Sequence, residues 1–431
     1  MLQKYNTAVN ASGTHVFLGN FKLSIFLAFK SIIKGNRWAL VLLTLVMAFS
    51  FVNLIFVSSL ISGIMVTMDN QMIRYVYGNV VVGPSENKYY IEKSSKLEEK
   101  ISQVYGVDAV TSRLAYSAFI EYQWKEKVSQ KDKGNSGNWE VFGIYPEKEI
   151  QVTAIQKQLI EGKYLDENDR DQIILGVEIA GGPNAKTSDF LTLGGAKVGD
   201  KVQLTYPNNV QREYTIKGIF YAHEMQQADR MALVTRAEML SVLGRDLYFD
   251  RASQILVKAE DGVDEATLIN DIKSTGISEQ VKSWREYGGA MSSVVSTFDV
   301  IGSLIGSVGL IVSATVMFIV IYINVLNKKR QIGILRAIGI PKIAIVGSYI
   351  LQAFFFAAAG TVIGWGLVNF GLQPYFQFYP LDLPIGLVSL NVRTMAVVGS
   401  ALGLTTAGIL AGLIPSWTIM KQSIITIIWG T

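Results

Sequence analysis

The stretch ALVLLTLVMAFSFVNLIFVSSLISGIMVTM, Ala39 to Met68, runs thirty residues without a charged side chain. About 20 apolar residues suffice for a helix to cross a ~30 Å hydrocarbon core, so this segment reads as a membrane span. A buried helix of a soluble protein explains it poorly, because such proteins seldom leave so long a run uncharged. A cleaved leader explains it no better: the run is about twice a usual apolar h-region, and 38 residues precede it. Outward from it lie three more apolar stretches of spanning length, 299–326, 343–372 and 393–420. Half of the 431 residues are hydrophobic and 17% are charged, against about 25% in soluble proteins. The expected fold is an α-helical membrane protein: four transmembrane helices, with a large α+β extracytoplasmic domain, 69–298, inserted between helices 1 and 2.

Charge orients the chain. The tail 1–38 carries Lys4, Lys22, Lys30, Lys34 and Arg37 and no acid, and the loop 327–342 carries Lys328, Lys329, Arg330, Arg336 and Lys342, again without one. Lys421 follows the last span. Segment 69–298 instead holds 27 basic and 33 acidic residues, and the short loop 373–392 holds Asp382 alone. By the positive-inside rule both termini, including 421–431, and the loop 327–342 are cytoplasmic, while 69–298 and 373–392 face outward. The expected location is the inner or plasma membrane. Phe21 to Arg37, FKLSIFLAFKSIIKGNR, sets Phe21, Ile25, Ala28, Phe29 and Ile32 at helical spacing with Lys22, Lys30 and Lys34 elsewhere. That pattern suits an amphipathic helix lying in the cytoplasmic interface among membrane lipids; a plain extension of the first span is the alternative.

Segment 69–298 reads as a folded domain. VVVG (Val80–Gly83), Tyr116–Trp124, Trp139–Tyr145, QIILG (Gln172–Gly176) and Ser253–Ala259 have strand character. KVQLTY and REYTIKGIF flank the turn Pro207-Asn208-Asn209 as a hairpin. Helices are expected at Ser94–Val104, Glu147–Leu159, Arg236–Leu243 and Asp264–Ser274. Without strict alternation of strand and helix, a mixed or antiparallel sheet with helices on one side follows. A change of texture near Asp166 marks a candidate subdomain boundary.

The chemistry that the chain lacks narrows its function. There is no cysteine and no GxxxxGK[ST], so neither a thiolate site nor a phosphate-cradling loop is encoded. Gly194–Gly199 lacks the Lys-Ser/Thr pair and reads as a turn. The histidines are His15 and His223; His223-Glu224 begins a metalloprotease-like string, but Gln227 stands where the second zinc ligand belongs. No serine sits in GxSxG. The spans carry no ionisable residue in their cores, and Asp299 sits at the edge of the second, so a proton or ion path is unsupported. No catalytic residue, metal ligand, cofactor or nucleic-acid partner is expected of this chain; work must be powered from outside it.

Glycines recur four apart at Gly302 and Gly306, Gly360 and Gly364, Gly399 and Gly403, and Gly408 and Gly412. Such ridges let helix backbones approach closely in lipid, and these eight are the candidate helix-packing residues. The first span offers Ser58, Ser59, Ser62 and Gly63 instead.

Between spans two and three stands NKKRQIGILRAIGIPK, Asn327 to Lys342. From Arg330 to Ile338 it alternates basic and apolar faces; Gly339 is a C-cap and Pro341 opens the first turn of the next helix. Snorkelling lysines explain the basic residues, but not the ordered Ile332, Ile334, Leu335 and Ile338. The string KKRQIGILRAIG closely resembles the coupling-helix segment of the FtsX-like, MacB-type permeases of ABC transporters. The order of parts is similar to that family throughout: a basic amphipathic helix, one span, a large outer domain of the MacB-like periplasmic core type, then three spans. IPSWTIMKQSIITII resembles the family's ending, while DKVQLT, TIKGIF and the tail of 147–161 look like its lipoprotein-releasing branch.

The resemblance implies a non-catalytic permease subunit that pairs with a second copy or a paralogue and binds a separate cytoplasmic ABC ATPase. ATP and Mg belong to that partner. Arg330, Gln331, Ile332, Gly333, Leu335, Arg336, Ala337 and Gly339 would dock on it; at Gln331 many relatives carry an acid, which sets the docking electrostatics apart. Motion of the ATPase would move the outer domain and release or export a lipoprotein, lipid or other amphiphile, with an extracytoplasmic adaptor or lipoprotein as a further partner. A mechanical transmitter that activates an extracytoplasmic cell-wall hydrolase is the alternative function. A receptor anchored in the membrane without an ATPase is a third, against which the patterned loop argues.

Overall fold

In a computed structural model of the chain, residues 19–35, 37–126, 135–182, 185, 191–222, 226–288, 290–383 and 386–421 are described. His15, His223 and residues 422–428 of the C-terminal string lie outside them. The chain divides into a membrane unit (1–64, 297–381, 388–431) and a sheet unit (65–296, 382–387).

Four helices of the described residues are long and apolar enough to cross a membrane: Leu40–Tyr77, Val300–Asn327, Lys342–Phe378 and Thr394–Met420. They outrun the expected spans. The first α-helix, Arg37–Gln71, widens into a π turn, Met72–Tyr77, and the second begins at Ala290. The third continues through a π segment, Val368–Leu372, to Phe378, so much of the expected loop 373–392 is helix followed by two short paired strands. Apolarity marks what lipid can hold; backbone hydrogen bonding carries the helix past it.

Within the membrane unit, Met47, Phe51 and Ile55 of the first span, Met317 and Ile321 of the second, Tyr349, Ala353 and Phe356 of the third, and Leu404 and Ala411 of the fourth share one core. A helix at 19–33 precedes the first span. Its Phe21, Ile25, Phe26, Phe29 and Ile33 are exposed, while Ser24 and Ala28 are buried. The exposed aromatic face suits the membrane interface, and the small face packs on the bundle.

The sheet unit is built on ten strands: β1 (Val80–Gly83), β2 (Val107–Tyr122), β3 (Ser136–Ile144), β4 (Leu159–Gly162), β5 (Gln172–Gly176), β6 (Lys201–Thr205), β7 (Gln211–Phe220), β8 (Met231–Thr235), β9 (Gln254–Ala259) and β10 (Gln280–Ser283). Their order is β10-β1-β9-β2-β3-β8-β5-β7-β4, with β6 bridging β2 and β7. The β3–β8 and β5–β7 pairs are parallel and the others antiparallel, so the sheet is mixed. The texture change at Asp166 divides nothing: β4 and β5, on either side of it, both pair with β7. The helix expected at 147–159 also stops early. It spans Pro146–Val152, and the Ala154 N–H donates to the Arg74 carbonyl at 2.8 Å, which pulls the chain out of helix and toward β4.

Where the first helix ends, Gly78 takes φ +68, and a Cβ there would stand 2.8 Å from the Val257 carbonyl oxygen. Only glycine allows both the left-handed turn and that approach. Close by, Arg113 of β2 and Glu149 form a fully buried ion pair at 2.5 Å. Arg113 also donates to the Val76 carbonyl at 2.8 Å, and the Thr153 hydroxyl donates to Glu149 at 2.9 Å. Buried charges hold only when paired and hydrogen-bonded in this way.

Candidate functional site

Apolar and basic residues alternate from Lys329, and the structure forms them into the helix Lys329–Ala337. It follows the second span almost without a break: the Lys328 N–H still donates to Asn324 and the Ile332 N–H to Lys328. Its far end closes as a Schellman motif. Gly339, at φ +97, donates to the Arg336 carbonyl at 3.2 Å, and the Ile340 N–H donates to Leu335 at 3.1 Å. Pro341 then serves as the N-cap of the third span, not as a residue of its first turn. Both ends of this nine-residue helix are thus fastened to spans.

The helix has two faces. Ile332 is 2% exposed, sits in the membrane-unit core, and is accompanied inside by Gly333. Leu335 packs against the same core, half-buried. The opposite face is open: Ile334 is 50% and Ile338 70% exposed, beside exposed Arg330, Gln331, Ala337 and Gly339. Among the eight docking candidates this separates the roles. Ile332 and Gly333 are buried, and the Ile332 side chain packs in the membrane-unit core. Arg336 is half-buried and engaged within the chain. Ile334 and Ile338, absent from the candidate set, are the apolar residues the face presents.

The sequence reading also missed a fastening. The Lys328 Nζ donates to the Ser31 hydroxyl at 2.6 Å, Ser31 donates to Gln352 of the third span at 3.2 Å, and Ser24 donates to the Ala344 carbonyl at 3.0 Å. Burial here pulls the Lys328 ammonium below its ordinary range. The helix at 19–33, the start of the linking helix and the third span are therefore one hydrogen-bonded assembly. The signal was present as Ser24, Ala28 and Ser31, small residues on one face at helical spacing.

The glycine ridges divide likewise. A Cβ on Gly360 would stand 2.5 Å from the Met47 Cβ, and one on Gly364 2.9 Å from the Ala48 carbonyl oxygen, so the third span lies directly on the backbone of the first. Gly302 meets Ile61, Gly408 meets Met317, Gly412 meets Ala353, and Gly403 touches Leu310 at ordinary contact distance. A Cβ on Gly306 or on Gly399 would meet nothing within 4 Å among the described residues. On the first span, Gly63 abuts the Ser389 carbonyl, and Asn391 donates to the Ser59 carbonyl and the Ser62 hydroxyl, both at 3.1 Å. Among the described residues no cluster of His, Cys, Asp or Glu could hold a metal ion.

Comparison with known proteins agrees with these parts. Residues 39–275 match the MacB-like periplasmic core domain and residues 303–424 the FtsX-like permease C-terminal domain. The macrolide export ATP-binding/permease protein MacB of Neisseria meningitidis is 26% identical over 161 residues, covering 37% of this chain and 22% of MacB. The chain thus spans about a fifth of that longer protein's length. The ABC transporter permease YvrN of Bacillus subtilis is 24% identical over 275 residues, covering 60% of this chain and 63% of YvrN. Among solved structures, the periplasmic region of MacB from Actinobacillus actinomycetemcomitans is similar at 14% identity and a TM-score of 0.32, covering 51% of this chain and 95% of that one. A membrane bundle with a capped, two-faced linking helix, a sheet unit inserted after the first span, and both matched domains together place the chain in the FtsX-like, MacB-type permease family of ABC transporters.

Proposed function

We propose that the chain is a non-catalytic permease subunit whose linking helix receives force from a separate cytoplasmic ABC ATPase, with ATP and Mg bound on that partner. The exposure of Ile334 and Ile338 on a helix anchored by Ile332 carries the reading. An apolar, arginine-flanked face is costly to leave open to water and suits a partner's groove. The orientation rests on the charge pattern: the loop 327–342 and both termini are cytoplasmic, and the sheet unit faces outward. Because both ends of the helix are tied to spans, a push on it shifts spans two and three together, and the sheet unit attached to span two follows. Gly306 and Gly399, which face open space among the described residues, support pairing with a second copy or a paralogue. The work so delivered is the export or release of an amphiphile from the outer leaflet.

Co-purification from native membranes tests the coupling. Ile338→Asp is expected to leave the chain folded and to lose the ATPase, at a cost above about 2 kcal/mol of binding. Ile332→Ala is expected to lower thermal stability by about 2–4 kcal/mol. An ATPase that stays bound to the Ile338→Asp chain would refute the docking face.

A further inference from the structure

A cavity of about 780 Å³ is hollowed into the sheet unit, within the roughly 300–1,000 Å³ of small-molecule sites. It lies where the pairing of β2 changes hands: β9 reaches as far as Arg113, and β3 takes over from Leu114. Tyr77 and Tyr287 wall it, their rings edge-on at 5.7 Å, and Tyr89, 89% exposed, stands at its rim. Both wall rings are held in place. Gln227 donates to the Tyr77 hydroxyl at 3.0 Å. Gly83 leaves the space that seats Tyr287, since a Cβ there would stand 2.9 Å from that ring.

One charge in the cavity is left unanswered. Glu140 of β3 is open to solvent, and its carboxylate has no ion-pair partner among the described residues. The cations that line the same cavity are committed elsewhere: Lys88 pairs with Glu92 at 3.9 Å, and Arg230 is engaged within the chain. Arg113 is the cation whose field reaches Glu140, and it is bound to Glu149. Desolvation outweighs that field and lifts the Glu140 carboxyl above its ordinary range. The same carboxylate acts on the hydroxyls of Tyr77 and Tyr287, so the acid and the two rings stand together. A carboxylate partly stripped of water favours a cation beside it, and aromatic faces favour the same charge.

We propose that this cavity binds a primary ammonium on an apolar stem, its N–H groups donating to the Glu140 carboxylate and the stem laid along Tyr77 and Tyr287. The free carboxylate oxygens ask for N–H donors, which a quaternary ammonium lacks. The site goes beyond the coupling reading above. Binding needs no ATPase, so its failure and the failure of coupling are separable.

The full chain in dodecyl maltoside micelles is titrated near neutral pH with dansylcadaverine, a fluorescent primary amine, with empty micelles subtracted. Saturable binding of one probe per chain is expected. The N-acetylated probe, which has the same stem and no charge, should bind at least about tenfold more weakly. Hexylamine and a lysine-containing peptide with blocked ends should both displace the probe. Whichever acts at the lower concentration identifies the source of the amine as a small molecule or a peptide. Glu140→Gln keeps the shape of a solvent-reached side chain, so folding is not at risk, and should weaken binding about tenfold. Tyr287→Leu should weaken it about threefold through the lost ring face, with an unchanged melting curve as the check on folding. No saturable binding, equal binding of the acetylated probe, or wild-type affinity in Glu140→Gln would each overturn the proposal.

Discussion

In the sheet unit, Arg113 and Glu149 meet with neither side chain exposed, whereas in the membrane unit Gly360 and Gly364 seat the third span on the backbone of the first. The difference follows from the solvent each unit meets. Water drives apolar side chains inward, and any charge carried with them must be paired there. Lipid offers no such drive between helices, so stability comes from close backbone approach, which a single Cβ can block. Charge deletion should therefore damage one unit and side-chain addition the other.

The largest expected effect is from Arg113→Met, which strands Glu149 and should cost the sheet unit about 3–5 kcal/mol. Thermal unfolding and limited proteolysis of the full chain measure it. Replacing both partners, Arg113→Met with Glu149→Leu, should recover most of the loss; no recovery would show that the hydrogen bond to Val76, not the pair, does the stabilising.

Next come the glycines. Gly360→Leu and Gly364→Leu should each lower stability in detergent by about 1–3 kcal/mol through overpacking. Gly306→Leu and Gly399→Leu should leave the melting of the single chain unchanged. Equal losses at all four positions would break the distinction between inward and outward ridges.

Asp229 sharpens the contrast from within the sheet unit. It is buried, its Oδ1 accepts from the Ala222 N–H at 2.6 Å, and its Oδ2 has no partner among the described residues. Burial raises its carboxyl to about 7, against an ordinary 3.8. The folded state then binds this proton more tightly than the unfolded chain, so its stabilising effect is complete below pH ~4 and is lost as pH rises through ~7. Asp229→Asn should remove that loss, gaining at least about 1 kcal/mol at pH 8 and little at pH 4. Melting curves across this range decide it; a gain independent of pH would assign the effect to packing. The smallest effect is expected from Ser31→Ala, about 1 kcal/mol for the bond to Lys328.

Much of this architecture was legible before any coordinates. The four spans, the inserted domain and the hairpin β6–β7 each rest on a local cue: uncharged length, alternation, or Pro-Asn-Asn. β8 was not legible. MALVT is a short apolar run, and periodicity cannot separate a buried strand from buried helix at that length; it is a strand because it lies between β3 and β5. β4 was hidden behind a helical pattern: the α-helix stops at Val152, the Ala154 N–H bonds to Arg74, 80 residues earlier, and a 3-10 turn at Ile155–Gln158 leads into the strand. Of the linking helix, the sequence showed its existence, its alternation and its glycine end, but not which face was free.

By itself the sequence determined which segments are long and apolar enough for lipid, how charge is divided among the segments between them, and that a short amphipathic helix joins the second and third spans. Those properties depend on side chains within a few turns of one another. Only the tertiary structure decided that Ile332 is buried and Ile338 exposed, that Gly360 packs on the first span while Gly306 faces open space among the described residues, and that Arg113 finds Glu149. Burial is a property of what lies opposite a residue, and helical spacing names a face without naming its neighbour.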